Sequence, residues 1–284
     1  MMKAKIGLIQ VPHLEGAGVS KRQDILLEAA EECLSQGADL VFFPEAFQYV
    51  EHRCILQNQE ELKRVSADWK NRCGVLAKKY RAYVVPWDYF EEDGKIYNSS
   101  YVLSREGAEI GRFKKVHLTY SEQEWGLTNG REFPVFDLDF GRIGIMICFD
   151  NYWPESARCL ALNGADIILY PLYGDTLINQ WEIKMLSRAI DNSVYVASCQ
   201  LDNKYDIAYT GMVNPKGEVV CRLNSPSCRV VEIEAGRVVE TSTGGDPATR
   251  EDIKKYLLKC RRQNAYRPVT EEKERPGWED IFII

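Results

Sequence analysis

Short apolar runs alternate with amphipathic stretches of helical period from the first residues of the chain. Lys5–Val11 (KIGLIQV) predicts a first strand, and Ser20 a cap for a helix reaching about Gln36, with Ile25, Leu26, Ala29, Ala30, Cys33 and Leu34 on one face. Gly37 ends that helix, and Asp39–Phe43 (DLVFF) follows as a short buried strand. A second helix is predicted over Glu60–Tyr80 and a strand over Ala82–Phe90, with Asp93-Gly94 marking a tight hairpin into Lys95–Leu103. Phe133–Asp139 and Arg142–Cys148 form another hairpin, turned at Phe140-Gly141. A helix over Pro154–Asn163, a strand over Asp166–Tyr170, a helix around Gln180–Asn192 and a strand over Val194–Cys199 come next. Three further strands are expected at 208–214, Glu218–Leu223 and Arg229–Glu234, then a helix near 248–262. Strands mixed with helices and hairpins imply an α/β layered domain with a mixed sheet. No compositional break marks a linker before about Gly244, so residues 1–245 are expected to be the main domain and 246–284 a C-terminal helix and tail.

Composition narrows the function. With 284 residues, 45% apolar and 27% charged, the chain has the make-up of a globular protein, and its net charge of −6 is the opposite of a nucleic-acid footprint. No apolar run approaches the roughly 18 residues of a membrane span. The stretch Ile6–Ile9 after Met1-Met2-Lys3 is too short for a secretory signal. Nine cysteines, an odd number without a CxxC pair, suggest reduced thiols and a cytoplasmic location. Three widely separated histidines and no Cys/His cluster give no reason to expect a metal.

Three segments carry chemistry. In Ile143–Glu155 (IGIMICFDNYWPE) a buried strand ends at Cys148, and a polar turn leads to Pro154, a residue favoured in a helix's first turn. A cysteine at such a junction projects its sulfur from a rigid frame, near backbone N–H groups able to hold a thiolate or an oxyanion. An isolated strand cysteine is otherwise a small buried hydrophobe, and the other eight are read that way. A thiol nucleophile needs a base, and no histidine sits in a promising context, although His117 shares a strand face with Lys115. Glu45, within FFPEAF, is a carboxylate embedded among apolar residues, which reads equally as a base or as the partner of a cation. In Gly111–Leu118 (GRFKKVHL) an extended backbone turns one lysine outward and the other inward; an inward Lys115 would compensate Glu45.

The order Glu45, Lys115, Cys148, carried by FFPEAF, KKVHL and GRIGIMICFDNYWPE, resembles the nitrilase superfamily, the carbon–nitrogen hydrolases. LNGADIILYP, RAIDNSVYVA and TGMVNPKGEVV downstream are similar to the family as well, so that the resemblance covers about Lys5–Glu234. It implies a four-layer αββα sandwich with two mixed β-sheets, a homodimer or higher homo-oligomer, and no cofactor. It also implies Glu45 as general base, Cys148 as nucleophile, and Lys115 and the Phe149 amide at the oxyanion. The second glutamate of the family falls at Glu122 or Glu124, with Glu122 favoured by its spacing from Lys115. Asn151, Tyr152, Trp153 and Tyr173 are candidates for lining the substrate pocket; Tyr152 and Trp153 could equally pack the helix onto the sheet. Cys148-Phe149-Asp150 stands where nitrilases carry Cys-Trp-Glu. That difference, and the similarity of CFDNYWPESAR to N-carbamoylputrescine amidases, imply a hydrolase of a small amide or N-carbamoyl amine. A nitrilase and a non-catalytic binding protein are the alternatives. The tail Asn264–Ile284, with its apolar end IFII, is a candidate for crossing to a partner subunit.

Overall fold

The computed structural model describes residues 2–12, 14–49, 53–174, 180–201, 210–236, 240–241 and 251–271. The chain divides into two compact units, residues 1–239 and 240–284.

The first unit is organised around β1 (Met2–Gln10), which pairs antiparallel along its whole length with β13 (Ser227–Ala235) and parallel with β2 (Leu40–Phe42). β1 is exposed at Lys3 and Lys5 and buried from Ile6 onward, so it enters the interior as its sequence turns apolar. A Cβ on Gly7 would lie 2.6 Å from Val41 Cγ1 and 2.9 Å from Cys33 Cβ, and the glycine therefore lets helix α1 (Val19–Ser35) and β2 close on the strand. That helix buries Leu26, Ala30, Cys33 and Leu34, but starts at Val19 with extended Gly18 as its N-cap, not at Ser20 as the sequence suggests.

The sheet continues through β3 (Tyr83–Val85) to β5 (Lys95–Leu103), which carries β4 (Trp87–Glu92) beside β3 on one edge and β6 (Glu109–Lys114) on the other. The single strand expected over Ala82–Phe90 is broken at Pro86, which has no N–H for the ladder; its first half pairs with both β2 and β5, its second with β5 alone. Asp93 and Gly94, both at positive φ, make the tight β4–β5 turn that their sequence announces. Helix α2 (Gln59–Tyr80), capped by the Asn58 side chain, buries Leu62, Trp69, Cys73 and Ala77 against the same face as α1.

The second sheet runs β12 (Val219–Leu223), β11 (Thr210–Val213), β10 (Tyr195–Gln200), β9 (Ile167–Leu172), β8 (Gly141–Ile145), β7 (Val135–Leu138). Its parallel centre β8–β9–β10 is connected by helices α4 (Pro154–Leu162) and α5 (Gln180–Asn192), which cover its outer face; α3 is the short helix Tyr120–Glu124. The two sheets meet face to face, with β1 against β10 and β11. The Ile9 N–H donates to Cys199 Sγ (3.2 Å) and the Thr210 hydroxyl to the Ile9 carbonyl (3.4 Å). The order of layers is helix, sheet, sheet, helix.

In the second unit β14 (Glu240–Thr241) pairs with β15 (Glu251–Asp252), and Asp252 caps α6 (Ile253–Lys259); α7 covers Arg267–Thr270. The helix expected over 248–262 is thus shorter, beginning where Asp252 supplies the cap. Residues 272–284 of the tail lie outside the described residues.

Asp88 on β4 is 2% exposed and accepts hydrogen bonds from the Tyr49 hydroxyl (2.8 Å) and the Gln48 amide (3.4 Å). Burial pushes its carboxyl up to about 6. A raised carboxyl pKa means that ionisation of Asp88 works against folding, increasingly so as pH rises from about 4 toward 6. Asp88→Asn, which keeps the shape and an acceptor for Tyr49, is expected to stabilise the protein by about 1–3 kcal/mol at pH 7.5. The gain should shrink toward pH 4. Thermal melts across that range measure it, and a difference independent of pH would contradict the burial account.

Candidate active site

Glu45, Lys115 and Cys148 each lie just beyond a sheet strand. Beyond β2 the Phe43 N–H donates to the Val85 carbonyl (3.1 Å), and the chain then turns sharply through Ala46 at φ +59°, leaving Glu45 4% exposed. Lys115 follows β6, its N–H still donating to the Asn98 carbonyl of β5 (2.8 Å). The pleat sends Lys114 outward, to Glu92 and the face of Tyr97, and Lys115 inward to 1% exposure. Gly130 donates its N–H to the Lys115 carbonyl (2.7 Å), and a Cβ there would strike the Lys114 carbonyl at 2.0 Å.

Glu122 lies in α3, whose N-cap is Thr119. The Glu122 N–H donates to Thr119 Oγ1 (3.3 Å), while the Thr119 N–H donates to Glu122 Oε2 (2.8 Å). Glu122 is buried, whereas Glu124 is exposed. Cys148 opens a 3-10 turn, Cys148–Tyr152, at φ +44°. Positive φ at a residue with a Cβ costs about 1–3 kcal/mol and persists only where the surroundings enforce it.

Asp150 is one source of that enforcement. Its Oδ2 accepts from the Ile147 N–H (3.0 Å), and its Oδ1 accepts from the His117 N–H (2.9 Å) and lies 2.8 Å from His117 Nδ1. The His117 ring stacks on Trp153 at 4.1 Å between centroids, nearly parallel. A fully buried carboxylate thus latches the loop after Lys115 to the turn carrying Cys148.

These elements bring Glu45, Lys115, Glu122 and Cys148 to one cavity of ≈ 450 Å³. Lys115 Nζ donates to Glu45 Oε1, Glu122 Oε1 and Glu122 Oε2, each at 2.9 Å. Asn98 Nδ2 donates to Glu45 Oε1 (2.7 Å) and Glu122 Oε1 (2.6 Å), and the Tyr173 N–H to Glu45 Oε2 (3.1 Å). Burial alone would lower the Lys115 pKa, but the facing Glu45, Cys148 and Glu122 outweigh it and hold the ammonium well above its ordinary value. Burial opposes ionisation of Glu122 too; Lys115, the Thr119 N–H and the Asn98 amide overcome it and hold the carboxyl below the usual range. Burial, with the Glu45 charge next, pushes the Cys148 thiol well up, against the pull of Lys115. The resting group is a neutral thiol beside a carboxylate.

Of the pocket residues expected from sequence, Phe149, Tyr152 and Tyr173 line this cavity. Asn151 and Trp153 do not. Asn151 is fully buried behind the turn, its carbonyl accepting from Arg188 Nη2 (2.8 Å), and Trp153 is taken up by His117. Sequence reasoning missed Tyr89, Asn98, Trp125 and Tyr170, which also line the cavity. The Thr-x-x-Glu spacing of Thr119 and Glu122, a capping-box signal, would have selected Glu122 over Glu124 on physical grounds. A larger groove of ≈ 630 Å³ beside α2 has no cysteine in its lining, and its Lys63, Lys70 and Arg112 are paired with Glu91 and Glu109. Among the described residues no group of three His, Cys, Asp or Glu side chains is placed to hold a metal ion, and no helix is long and apolar enough to cross a membrane.

The layered αββα fold thus gathers a buried thiol, two carboxylates and an ammonium in one cavity. A sequence model of the family described as carbon-nitrogen hydrolase matches residues 5–241, and the chain belongs to that family. It is 31% identical over 207 residues to a nitrilase of Pyrococcus abyssi, covering 71% of this chain and 76% of that protein. It is 29% identical over 231 residues to the human omega-amidase NIT2, covering 75% and 81%. An amidase from Nesterenkonia sp. superposes with a TM-score of 0.76 at 20% identity, covering 94% of this chain and 96% of that one. A carbon-nitrogen hydrolase from Helicobacter pylori superposes with a TM-score of 0.77 at 19% identity, covering 95% and 99%. At that identity the superpositions establish the architecture, the αββα sandwich that the sequence resemblance implies.

Asp150→Ala would leave the Ile147 and His117 N–H groups buried without an acceptor, and is expected to cost about 2–4 kcal/mol in denaturant unfolding. A loss under about 0.5 kcal/mol would show that the latch does not hold the turn.

Proposed function

We propose that this carbon-nitrogen hydrolase cleaves the C–N bond of a small amide or N-carbamoyl amine by way of a covalent thioester on Cys148. The observation that carries the reading is the convergence of Cys148, Glu45, Lys115 and Glu122 in one buried cavity, with the thiol held neutral beside a carboxylate.

Glu45 removes the thiol proton as the sulfur attacks the carbonyl carbon. The oxygen that becomes negative is held by Lys115 and the first-turn N–H of Phe149, in a site that shields it from water. When the tetrahedral adduct collapses, the C–N bond breaks and Glu45 returns the proton to the leaving nitrogen, which departs as ammonia. Water then attacks the thioester, Glu45 taking its proton, and the thiol is restored as the acid leaves. Glu122 acts through Lys115, fixing its ammonium together with Glu45.

The cavity supports a small substrate, since ≈ 450 Å³ falls toward the lower end of the roughly 300–1,000 Å³ typical of small-molecule sites. Its wall is aromatic, with Tyr89, Trp125, Phe149, Tyr152 and Tyr173. The Cys-Phe-Asp sequence supports an amidase or a carbamoyl amine hydrolase, of the kind that acts on N-carbamoylputrescine, over a nitrilase. The 31% identical relative named a nitrilase favours the nitrile as second reading. Residues 1–245 would form the catalytic domain and 246–284 a segment at a subunit interface of a homo-oligomer in the cytoplasm.

Cys148→Ala is expected to reduce turnover at least about 10³-fold and to abolish covalent labelling, while Cys159→Ala changes neither. Ammonia release from a panel of small amides, carbamoyl amines and nitriles measures this. Full activity in Cys148→Ala would refute the nucleophile, and a nitrile consumed faster than its amide would make the protein a nitrilase.

A further inference from the structure

We propose that Asn98 is a positioning residue for this reaction, holding Glu45 and Glu122 ionised together, and that Trp87 dictates which way its amide points. The inference rests on the proposed use of Glu45 as a base and goes beyond it to what keeps that base charged.

Asn98 lies on β5 and Trp87 on β4, at diagonal positions on one face of the pair, where the register sets Tyr89 opposite Asn98 and Trp87 opposite Ser100. Both are buried, at 1% and 0% exposure. An asparagine amide has nearly the same shape either way round, so its orientation is decided by its partners. An indole N–H can only donate, and Trp87 Nε1 sits 2.6 Å from Asn98 Oδ1. The indole is itself fixed, edge-on to Tyr89 with centroids 4.8 Å apart and packed on Tyr49. Turning the amide over would set its NH₂ against the indole N–H and its carbonyl against two carboxylates. The observed orientation is the one without that clash, and it sends one amide N–H to each carboxylate, at 2.7 and 2.6 Å.

That matters because the charges do not balance. Two buried carboxylates share one ammonium, and like charges this close tend to retain a proton between them. The groups facing the pair from every side, among the described residues, are Lys115 beyond β6, the Thr119 N–H and hydroxyl at α3, the Tyr173 N–H beyond β9, the Cys148 thiol and the Asn98 amide. Lys115 and Asn98 are the groups among these that bridge both carboxylates. Asn98 also accepts the Lys115 N–H at its own carbonyl, so one residue sets both bridging donors. Without its amide a proton would rest on the carboxylate pair, and Glu45 would be unable to take the thiol proton until a higher pH.

The test is the acid limb of the kcat/KM profile for ammonia release, read alongside the pH dependence of Cys148 alkylation by iodoacetamide. Asn98→Leu, which removes both donors at similar volume, should move the acid limb upward by about one pH unit in both measurements. Trp87→Phe, which keeps an apolar ring but removes the donor that anchors the Asn98 side-chain carbonyl, should move it the same way by less. The double variant should move it no further than Asn98→Leu alone. Asn98→Asp keeps the shape and replaces the donors with a charge, and should move the limb at least as far; it decides the matter where Asn98→Leu does not fold. Acid limbs within about 0.2 unit of wild type, with only kcat reduced, would make Asn98 a packing residue. A limb moved by the Asn98 variants but not by Trp87→Phe would remove the role given to Trp87. Alkylation at Cys148 without turnover of any amide, carbamoyl amine or nitrile would overturn the proposed reaction, and the alkylation profiles would still decide the role of Asn98.

Discussion

A lysine ammonium sealed from water imposes the rest of the site. Lys115 is 1% exposed, and the cost of taking its charge out of water is met by short contacts to two carboxylates. Those carboxylates arrive from unrelated parts of the chain, one beyond β2 and the other from a five-residue helix after β6. Each needs further donors, and the site supplies them from the Thr119 cap, the Tyr173 N–H and the Asn98 amide. Removing one member of such a cluster strands the others, at a cost of about 3–5 kcal/mol for a buried pair. The cluster therefore behaves as a single unit.

The nucleophile is held on different terms. Cys148 stands at positive φ at the end of a buried strand, with Asp150 bonded to backbone on both sides of the cleft. The sulfur is thereby aimed at the charged cluster, its thiol within hydrogen-bonding reach of Glu45. Its thiol is neutral at rest; in the proposed reaction negative charge develops only as the sulfur attacks, between the Glu45 carboxylate and an ammonium fixed in advance. Interactions of this kind favour the transition state over the ground state.

Much of the frame was legible in the chain. The Asp93-Gly94 hairpin, the strand leading to Cys148 and the order of Glu45, Lys115 and Cys148 follow from local pattern and resemblance. Which strands share a sheet did not follow, because apolar strands of similar length carry no label for their partners. The break at Pro86 was written in the sequence as a residue unable to donate, and was read as a continuous strand. Asn98 gave no signal, since a lone asparagine inside a strand has meaning only through what lies across from it. The link between His117 and Asp150 spans 33 residues and was equally invisible. It gives the scarce histidine a place that is architectural, a hydrogen bond and a stacked ring. Asn151 and Trp153 look like pocket residues in sequence because they are polar and aromatic beside a nucleophile, yet both face away from the cavity.

The central claim is that Cys148 carries the acyl group during turnover. Wild-type protein quenched in acid while hydrolysing a small amide, then digested and weighed by mass spectrometry, tests it most directly. The account predicts an added mass equal to the acyl group on the peptide containing Cys148, and on no peptide bearing the other eight cysteines. Steady ammonia release with Cys148 unmodified, or the acyl mass on another residue, would contradict it.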